Sequence, residues 1–161
     1  KNSAAYFFKT LNKSKKDSRA LSHLVIGALG KSTYDELKKY GIYADIMPEE
    51  YTFTAFAETL KKAGINENTA VLEAVQDKRL SDELKNNGFN AASCSAYDIE
   101  YLPLDYIKPL QEYIDNGVIA AFTSSAAVHG FVRGNKIEDL SKIKAVCIGR
   151  LTYETALNYK M

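Results

Sequence analysis

Few side chains in this sequence could act as nucleophiles or bind a metal ion. The chain contains two cysteines, Cys94 and Cys147, and two histidines, His23 and His129. None of them forms a pair at metal-ligand spacing, and both cysteines lie in apolar segments, where a buried thiol behaves as a small hydrophobic group. We therefore expect no metal site and no nucleophilic cysteine. We expect His23 to be structural and His129 to lie on a helix surface.

The glycine pattern excludes two common cofactor-binding motifs. The segment from Gly27 to Gly30 lacks the G-x-G-x-x-G spacing of a dinucleotide fingerprint. Gly30-Lys31-Ser32 lacks the upstream glycine of a P-loop. The sequence therefore predicts neither a dinucleotide site nor a nucleoside triphosphate site of these types.

A short motif occurs twice in the chain. Residues 29–37 read LGKSTYDEL and residues 148–157 read IGRLTYETAL, so each has an apolar residue, glycine, a basic residue, threonine, tyrosine and an acid in register. A second pair of small-residue helix starts, at residues 2–5 and 124–127, precedes these copies. The repeat predicts two copies of one α/β domain. The alternative is chance recurrence, because glycine and threonine are common in turns and helix caps.

Composition limits the class of protein. The 161 residues are 46% hydrophobic and 25% charged, which fits one globular domain or two small ones. The formal net charge is only +1, so we expect no nucleic-acid partner. No apolar run reaches the roughly 18 residues that a membrane span needs, and no signal peptide is recognisable. We therefore expect a cytoplasmic protein without a membrane partner.

Apolar runs alternate with amphipathic segments along the chain, which predicts an α/β fold with parallel sheets flanked by helices. The predicted strands are residues 23–29, 44–47, 70–75, 89–97, 118–122 and 145–148. The predicted helices are residues 3–11, 32–41, 54–64, 81–87 and 106–114, with two more beginning at Ala126 and Thr152. The chain begins with Lys1 rather than methionine and ends within a helical pattern, so we expect a fragment that lacks an earlier strand.

Four stretches of the chain match the signatures of a known family. They are LGKST at 29–33 with MPEEYT at 47–52, LKNNGF at 84–89 with AYD at 96–98, FTSSAAV at 122–128, and IGRLT at 148–152. In their order and spacing along nearly the whole chain they resemble the uroporphyrinogen-III synthase family. Lys78 and Arg79 lie where the family usually has a loop with a basic residue, but residues 73–77 depart from the family pattern, which weakens the resemblance at this loop. Phe53 departs from it as well, so Thr52 and Thr54 are only weak candidates for the site.

The resemblance implies two similar flavodoxin-like domains joined by a two-stranded hinge, with a ligand cleft between them. Residues 1–97 would form an inserted α/β domain, incomplete at its N-terminus. Residues 98–103 would form the hinge, and residues 104–161 an incomplete second domain. The family is usually monomeric, so we expect a monomer.

The resemblance also implies an activity, namely cyclisation of hydroxymethylbilane to uroporphyrinogen III with inversion of ring D and loss of water. No cofactor is implied, because the substrate is already reactive. Such a site must orient a flexible chain and assist proton movements. The substrate is rich in carboxylates, which backbone N–H groups at helix N-termini can bind.

Residue by residue, the resemblance implies a catalytic role for Tyr97, which would assist departure of the hydroxyl. The implied substrate-binding residues are Gly30, Lys31, Ser32, Thr33, Thr123, Ser124, Ser125, Gly149, Arg150 and Thr152. Tyr97 could instead be an ordinary strand-end tyrosine, the hydroxyls could serve only as helix caps, and Lys31 and Arg150 could be solvated surface charges. On the same scaffold the protein could also be a non-catalytic module that binds an anionic ligand, because a fold alone does not decide function.

Overall fold

The computed structural model of the protein describes residues 1–65, 68–102, 110–135, 137 and 139–161. The chain divides into two compact units, Lys1–Ile99 and Glu100–Met161. Both have parallel strands flanked by helices, so the predicted α/β class is confirmed. No helix among the described residues is long and apolar enough to cross a membrane.

The first unit contains four helices and one parallel strand pair among its described residues. In chain order these elements are α1 (Asn2–Lys13), α2 (Lys31–Lys38), α3 (Phe53–Lys62), β1 (Thr69–Ala74), α4 (Arg79–Asn86) and β2 (Ala91–Tyr97), with a 3-10 turn at Ser18–Leu21 between α1 and α2. Strands β1 and β2 pair in parallel from Thr69 and Ala91 onward. The turn after α4 passes through Gly88 at φ 88°, a backbone angle that favours glycine.

The strands predicted at 23–29 and 44–47 do not form a ladder, and this prediction was wrong in extent. The two segments share a single parallel bridge between Gly27 and Ile46. The Ala28 amide donates to the Ile46 carbonyl at 2.8 Å. The next donor in line, the Ile26 amide, donates instead to Asp45 Oδ2 at 2.8 Å. The Asp45 side chain thus accepts a hydrogen bond from an amide that a regular ladder would pair with a carbonyl of the neighbouring strand. Because side chain and backbone compete for this donor, the ladder stops after one bridge.

Two apolar clusters form the core of the first unit. One packs α3 and α4 onto the β1–β2 sheet around Phe56, Leu60 and the fully buried Leu84. The other packs α1 against α2 and the preceding extended segment, with the Phe8 ring stacked on Tyr40 at 4.2 Å between centroids. Together the two clusters fix the carboxyl ends of β1 and β2 and the start of α2 relative to one another within the first unit.

The second unit contains three described helices and a second parallel pair. They are α5 (Leu110–Asp115), β3 (Ile119–Phe122), α6 (Ser125–Asn135), β4 (Lys144–Cys147) and α7 (Arg150–Asn158). Strand β3 pairs in parallel with β4, Ile119 opposite Lys144. Its core contains Phe122, Val128 and Ala156. The predicted helix at 106–114 begins outside the described residues. Residue 103 of the predicted hinge and the predicted start of the second domain at residue 104 also lie outside them.

Candidate functional site

The predicted site residues of the first unit lie where its parallel strands end. In parallel α/β folds ligands bind at the carboxyl ends of the strands, because the loops and helix N-termini meet there. Tyr97 is the last residue of β2, and Gly30 precedes the first turn of α2. The loop from Val75 to Lys78 follows β1. These three segments form the carboxyl edge of the first unit.

The N-terminus of α2 has donors that no side chain caps. Gly30 is its N-cap residue, in an extended conformation at φ −166° and ψ 173°, and provides no side-chain hydrogen bond. Thr33 Oγ1 accepts a hydrogen bond from the Lys1 backbone nitrogen at 2.9 Å. An open depression of about 350 Å³ lies here, lined by Leu29, Gly30, Lys31, Ser32, Thr33 and Tyr51. Uncapped N–H groups and the positive end of the helix dipole suit an anionic ligand group.

The second copy of the motif has the same local geometry. Gly149 is the N-cap residue of α7 at φ −162° and ψ 171°, again without a capping side chain. The basic residue that follows pairs in both copies with the acid one turn later. Lys31 Nζ lies 3.1 Å from Asp35 Oδ2, and Arg150 Nε lies 2.8 Å from Glu154 Oε1. In each copy the acidic side chain therefore holds the basic side chain along the helix. A ligand carboxylate would compete with that acid for the basic group.

The two motif glycines differ in what surrounds them, which gives a matched test. A Cβ at Gly30 would lie 3.1 Å from Tyr51 Cγ, whereas no described atom would lie within 4 Å of one at Gly149. Alanine is a poorer N-cap than glycine in both helices. We expect Gly30→Ala to lower the free energy of unfolding about 1 kcal/mol more than Gly149→Ala, because only the former displaces an aromatic ring. Urea unfolding of both variants checks this, and equal losses would contradict it.

The hydroxyl residues of the second unit mostly serve its helix starts. Ser124 Oγ accepts a hydrogen bond from the Ala127 amide at 3.1 Å and so caps α6. Ser125 Oγ donates to the Leu151 carbonyl at 3.2 Å, which ties α6 to the first turn of α7. Thr123 is exposed, whereas Thr152 is 5% exposed. Thr123 and Ser124 are both exposed, and Ser124 is engaged as the cap of α6.

Tyr97 lies half-buried at the end of β2. Its ring stacks on Tyr6 of α1, with centroids 5.8 Å apart and planes 10° from parallel. Burial raises the pKa of the Tyr97 phenol, and the Asp77 carboxylate raises this pKa further, since both disfavour the phenolate. Within the described part of the chain the Tyr97 hydroxyl has no hydrogen-bond partner. At neutral pH it is therefore a protonated donor that a ligand can engage.

The loop after β1 carries a closed ion pair. Arg79 Nη2 lies 2.6 Å from Asp77 Oδ2, and Arg79 Nε donates to Asp77 Oδ1 at 2.8 Å. The hydrogen bonds from Arg79 hold the pKa of the Asp77 carboxyl below its usual range, so Asp77 is ionised at neutral pH. Lys78 Nζ instead donates to Ser93 Oγ at 2.7 Å and to Ser95 Oγ at 3.0 Å. The charge of Arg79 is thus already paired with Asp77, whereas the described partners of Lys78 are uncharged hydroxyls.

A buried carboxylate near this edge was missed from the sequence. Glu73 of β1 is 8% exposed, and its Oε1 accepts a hydrogen bond from Ser81 Oγ at 2.6 Å. Its Oε2 lies 3.4 Å from the Ser81 amide in the first turn of α4. Glu73 therefore caps α4 from the adjacent strand. The available signal was a single acid inside the apolar run 70–75, followed eight residues later by a serine at a helix start.

The weaker candidates Thr52 and Thr54 and one of the two histidines, His129, have structural contacts, whereas His23 is exposed. Thr52 Oγ1 accepts from the Ala55 amide and caps α3, and Thr54 Oγ1 donates to Glu83 Oε1 at 3.1 Å. His129, expected on a helix surface, is half-buried, with Nδ1 2.9 Å from Tyr159 Oη. His129 thus lies on α6 with partial exposure, and the side chain of Tyr159, which follows α7, covers part of it. No cluster of metal-ligating side chains occurs among the described residues.

Known proteins resemble this chain in sequence and fold. Porphyrin biosynthesis protein HemD of Ruminiclostridium josui is 29% identical over 165 residues, a match that covers 100% of this chain and 32% of that protein. Two crystal structures of uroporphyrinogen III synthase from Thermus thermophilus match 98% of the chain. A mutant has a TM-score of 0.64 at 17% identity over 65% of its chain. The wild type has a TM-score of 0.53 at 16% identity over 64% of its chain.

The extent of these matches differs between the chains compared. This chain spans about a third of the curated relative and slightly under two thirds of the solved synthases. At such low identity the solved structures establish the fold alone. The family model described as uroporphyrinogen-III synthase HemD, however, matches residues 1–161. This chain therefore belongs to the uroporphyrinogen-III synthase HemD family.

Proposed function

We propose that this protein is a uroporphyrinogen-III synthase, a cyclising lyase that converts hydroxymethylbilane to uroporphyrinogen III with inversion of ring D and loss of water. The single observation that carries the proposal is the family match over residues 1–161. The geometry of the first unit supports it, because an uncapped helix N-terminus and a protonated phenol lie at the carboxyl edge of the same unit.

The substrate's carboxylates are proposed to bind at the helix starts of both motif copies. In the first unit these donors are the N–H groups after Gly30, with Lys31, Ser32 and Thr33 beside them. In the second unit they belong to the segments 123–125 and 149–152, which include Arg150 and Thr152. Uncapped N–H groups at α2 and α7 support this role, because they lose no internal hydrogen bond when an anion binds.

Tyr97 is proposed to donate the proton that turns the leaving hydroxyl into water. The carbon–oxygen bond of the hydroxymethyl group breaks, its electron pair stays with oxygen, and the electron-rich pyrrole becomes an azafulvene cation. Ring D then forms a carbon–carbon bond to the methylene carbon of this cation, which restores the first pyrrole, and the bond from ring D to the ring C bridge moves to the other α-carbon of ring D, so that ring D is inverted. The proton that ring D loses as it regains aromaticity restores the phenol, and the overall change is ring closure with loss of one water. The place of Tyr97 at the carboxyl end of β2 supports this role, because a neutral phenol there can donate a proton to the departing oxygen. The step needs no cofactor.

The finer architecture is proposed from the family resemblance. It consists of two flavodoxin-like domains, residues 1–97 and 104–161, a two-stranded hinge through residues 98–103, and a substrate cleft between the domains. We also propose a monomeric cytoplasmic enzyme without nucleic-acid or membrane partners. The net charge of +1 supports the absence of a nucleic-acid partner.

A coupled assay tests the proposed activity. Freshly generated hydroxymethylbilane is supplied to the full-length protein, and the type III and type I uroporphyrinogen isomers are resolved after oxidation. Type I forms spontaneously, so we expect an excess of type III over a heat-denatured control. Type I alone, from protein that circular dichroism shows to be folded, would contradict the synthase proposal. That result would favour the non-catalytic anion-binding module, which direct binding of tetracarboxylate ligands would then test.

A further inference from the structure

The aromatic partner of Tyr97 comes from the other end of the first unit's sequence. Tyr6 lies on α1, and its ring stacks on Tyr97 with centroids 5.8 Å apart and planes 10° from parallel. Tyr6 is 48% exposed, so the contact uses one face of its ring while much of the residue remains in solvent. Lys9, one turn further along α1, places its Nζ 5.9 Å from the Tyr6 ring centroid. A cation near an aromatic face stabilises the orientation of the ring.

A bulge in β2 directs Tyr97 toward this partner. The register skips Ala96, so that Ser95 pairs with Glu73 and Tyr97 with Ala74. In a regular strand Tyr97 would share a face with Ser95, because side chains alternate. A bulge ends that alternation and redirects the following side chain. The Tyr97 ring lies against α1 as a result, and Tyr6 occupies the position where it meets that ring.

We propose that Tyr6 is a positioning residue of the site, whose stacked ring fixes the direction of the Tyr97 hydroxyl at the carboxyl edge of the first unit. The importance of this role for turnover rests on the proposed synthase function. Offset stacking of two aromatic rings contributes energy beyond burial alone, and it restricts the tilt of both rings. The contact matters more because the Tyr97 hydroxyl has no hydrogen-bond partner among the described residues.

The stack also shields one face of the Tyr97 ring from water. Burial is the main reason that the pKa of the Tyr97 phenol is raised, and the Asp77 carboxylate is the second. Removal of the Tyr6 ring should therefore lower the pKa of Tyr97 toward its ordinary value of 10.0, because water then solvates the phenolate better. Tyr6→Phe keeps the stacked ring and loses only a hydroxyl, which makes it the matched control for Tyr6→Ala.

The test combines a titration with kinetics on the full-length protein. Protein labelled with carbon-13 at the tyrosine ring carbon that bears the hydroxyl is titrated by NMR, and the Tyr97 signal is assigned by its absence in Tyr97→Phe. Circular dichroism at each pH confirms that the fold persists. We expect a lower Tyr97 midpoint in Tyr6→Ala and an unchanged midpoint in Tyr6→Phe. In the coupled assay we expect Tyr6→Ala to lower kcat about tenfold with KM within about twofold, and Tyr6→Phe to retain kcat.

The two readouts separate failure of this inference from failure of the proposed function. An unchanged Tyr97 midpoint in Tyr6→Ala would overturn the positioning role, whatever the activity. Unchanged kcat in Tyr6→Ala, with an active wild-type enzyme, would overturn it as well. If the wild-type protein forms no excess of the type III isomer, the synthase proposal fails. The titration would then still decide whether the Tyr6 ring packs on Tyr97 and shields it from water.

Discussion

Replacement of Tyr97 by phenylalanine is expected to lower kcat on the order of 100-fold while KM stays within about twofold. Phenylalanine keeps the ring that stacks on Tyr6 and removes only the hydroxyl. The loss therefore falls on the step in which a proton reaches the departing oxygen, and substrate binding through the helix starts is preserved. Steady-state formation of the type III isomer by the full-length protein provides both constants.

A hydroxyl removed elsewhere provides the control for this prediction. Tyr113 lies on α5 in the second unit and is 56% exposed. Tyr113→Phe should leave both constants unchanged. If Tyr97→Phe also retained full turnover, Tyr97 would be a strand-end tyrosine with a structural role only, and the proton would have to come from another donor or from water.

The second large effect is expected on stability. Glu73→Gln should lower the free energy of unfolding by about 2 kcal/mol, since a hydrogen bond to a charged group is worth roughly 1.5 to 3 kcal/mol. Glutamine preserves the volume and one acceptor oxygen for Ser81 Oγ, but it removes the carboxylate charge and places an NH2 group where the second oxygen faces the Ser81 amide at the start of α4. The lost interaction with the positive end of the helix adds to the cost. Urea unfolding followed by circular dichroism measures the change.

An exposed glutamate serves as the matched variant. Glu58 lies on the solvent side of α3, and Glu58→Gln should change the free energy of unfolding by less than about 0.5 kcal/mol. Equal stability of the two variants would mean that the Glu73–Ser81 hydrogen bond stabilises the folded protein no more than hydrogen bonds to water stabilise the same groups in the unfolded chain. A loss confined to Glu73→Gln would establish Glu73 as the cap of α4 and hence as a support for the loop that carries Asp77.

The local elements of the site followed from short-range patterns in the sequence. The repeated Gly-basic-x-Thr-Tyr-acid motif predicted two helix starts after extended segments, and the two N-cap glycines have nearly the same backbone angles. The acids of the motif explain the pairs Lys31–Asp35 and Arg150–Glu154, because residues four apart meet on one helix face. Glycine turns, helix periodicity and motif spacing act within a few residues, so the α/β class could be predicted without the structure.

The contacts that give the candidate site its chemistry join residues far apart in the chain or depend on strand register. Tyr6 and Tyr97 meet because α1 packs on the sheet and because a bulge at Ala96 changes which way Tyr97 points. The carboxylate of Asp45 likewise ends the pairing near Gly27, where apolar composition had predicted a full strand. Each of these outcomes depends on how elements pack or on competition for one backbone donor, and a one-residue change in register reverses the direction of a side chain. Sequence periodicity therefore predicted the helices and the four paired strands of the described residues, whereas tertiary packing determined which side chains surround Tyr97.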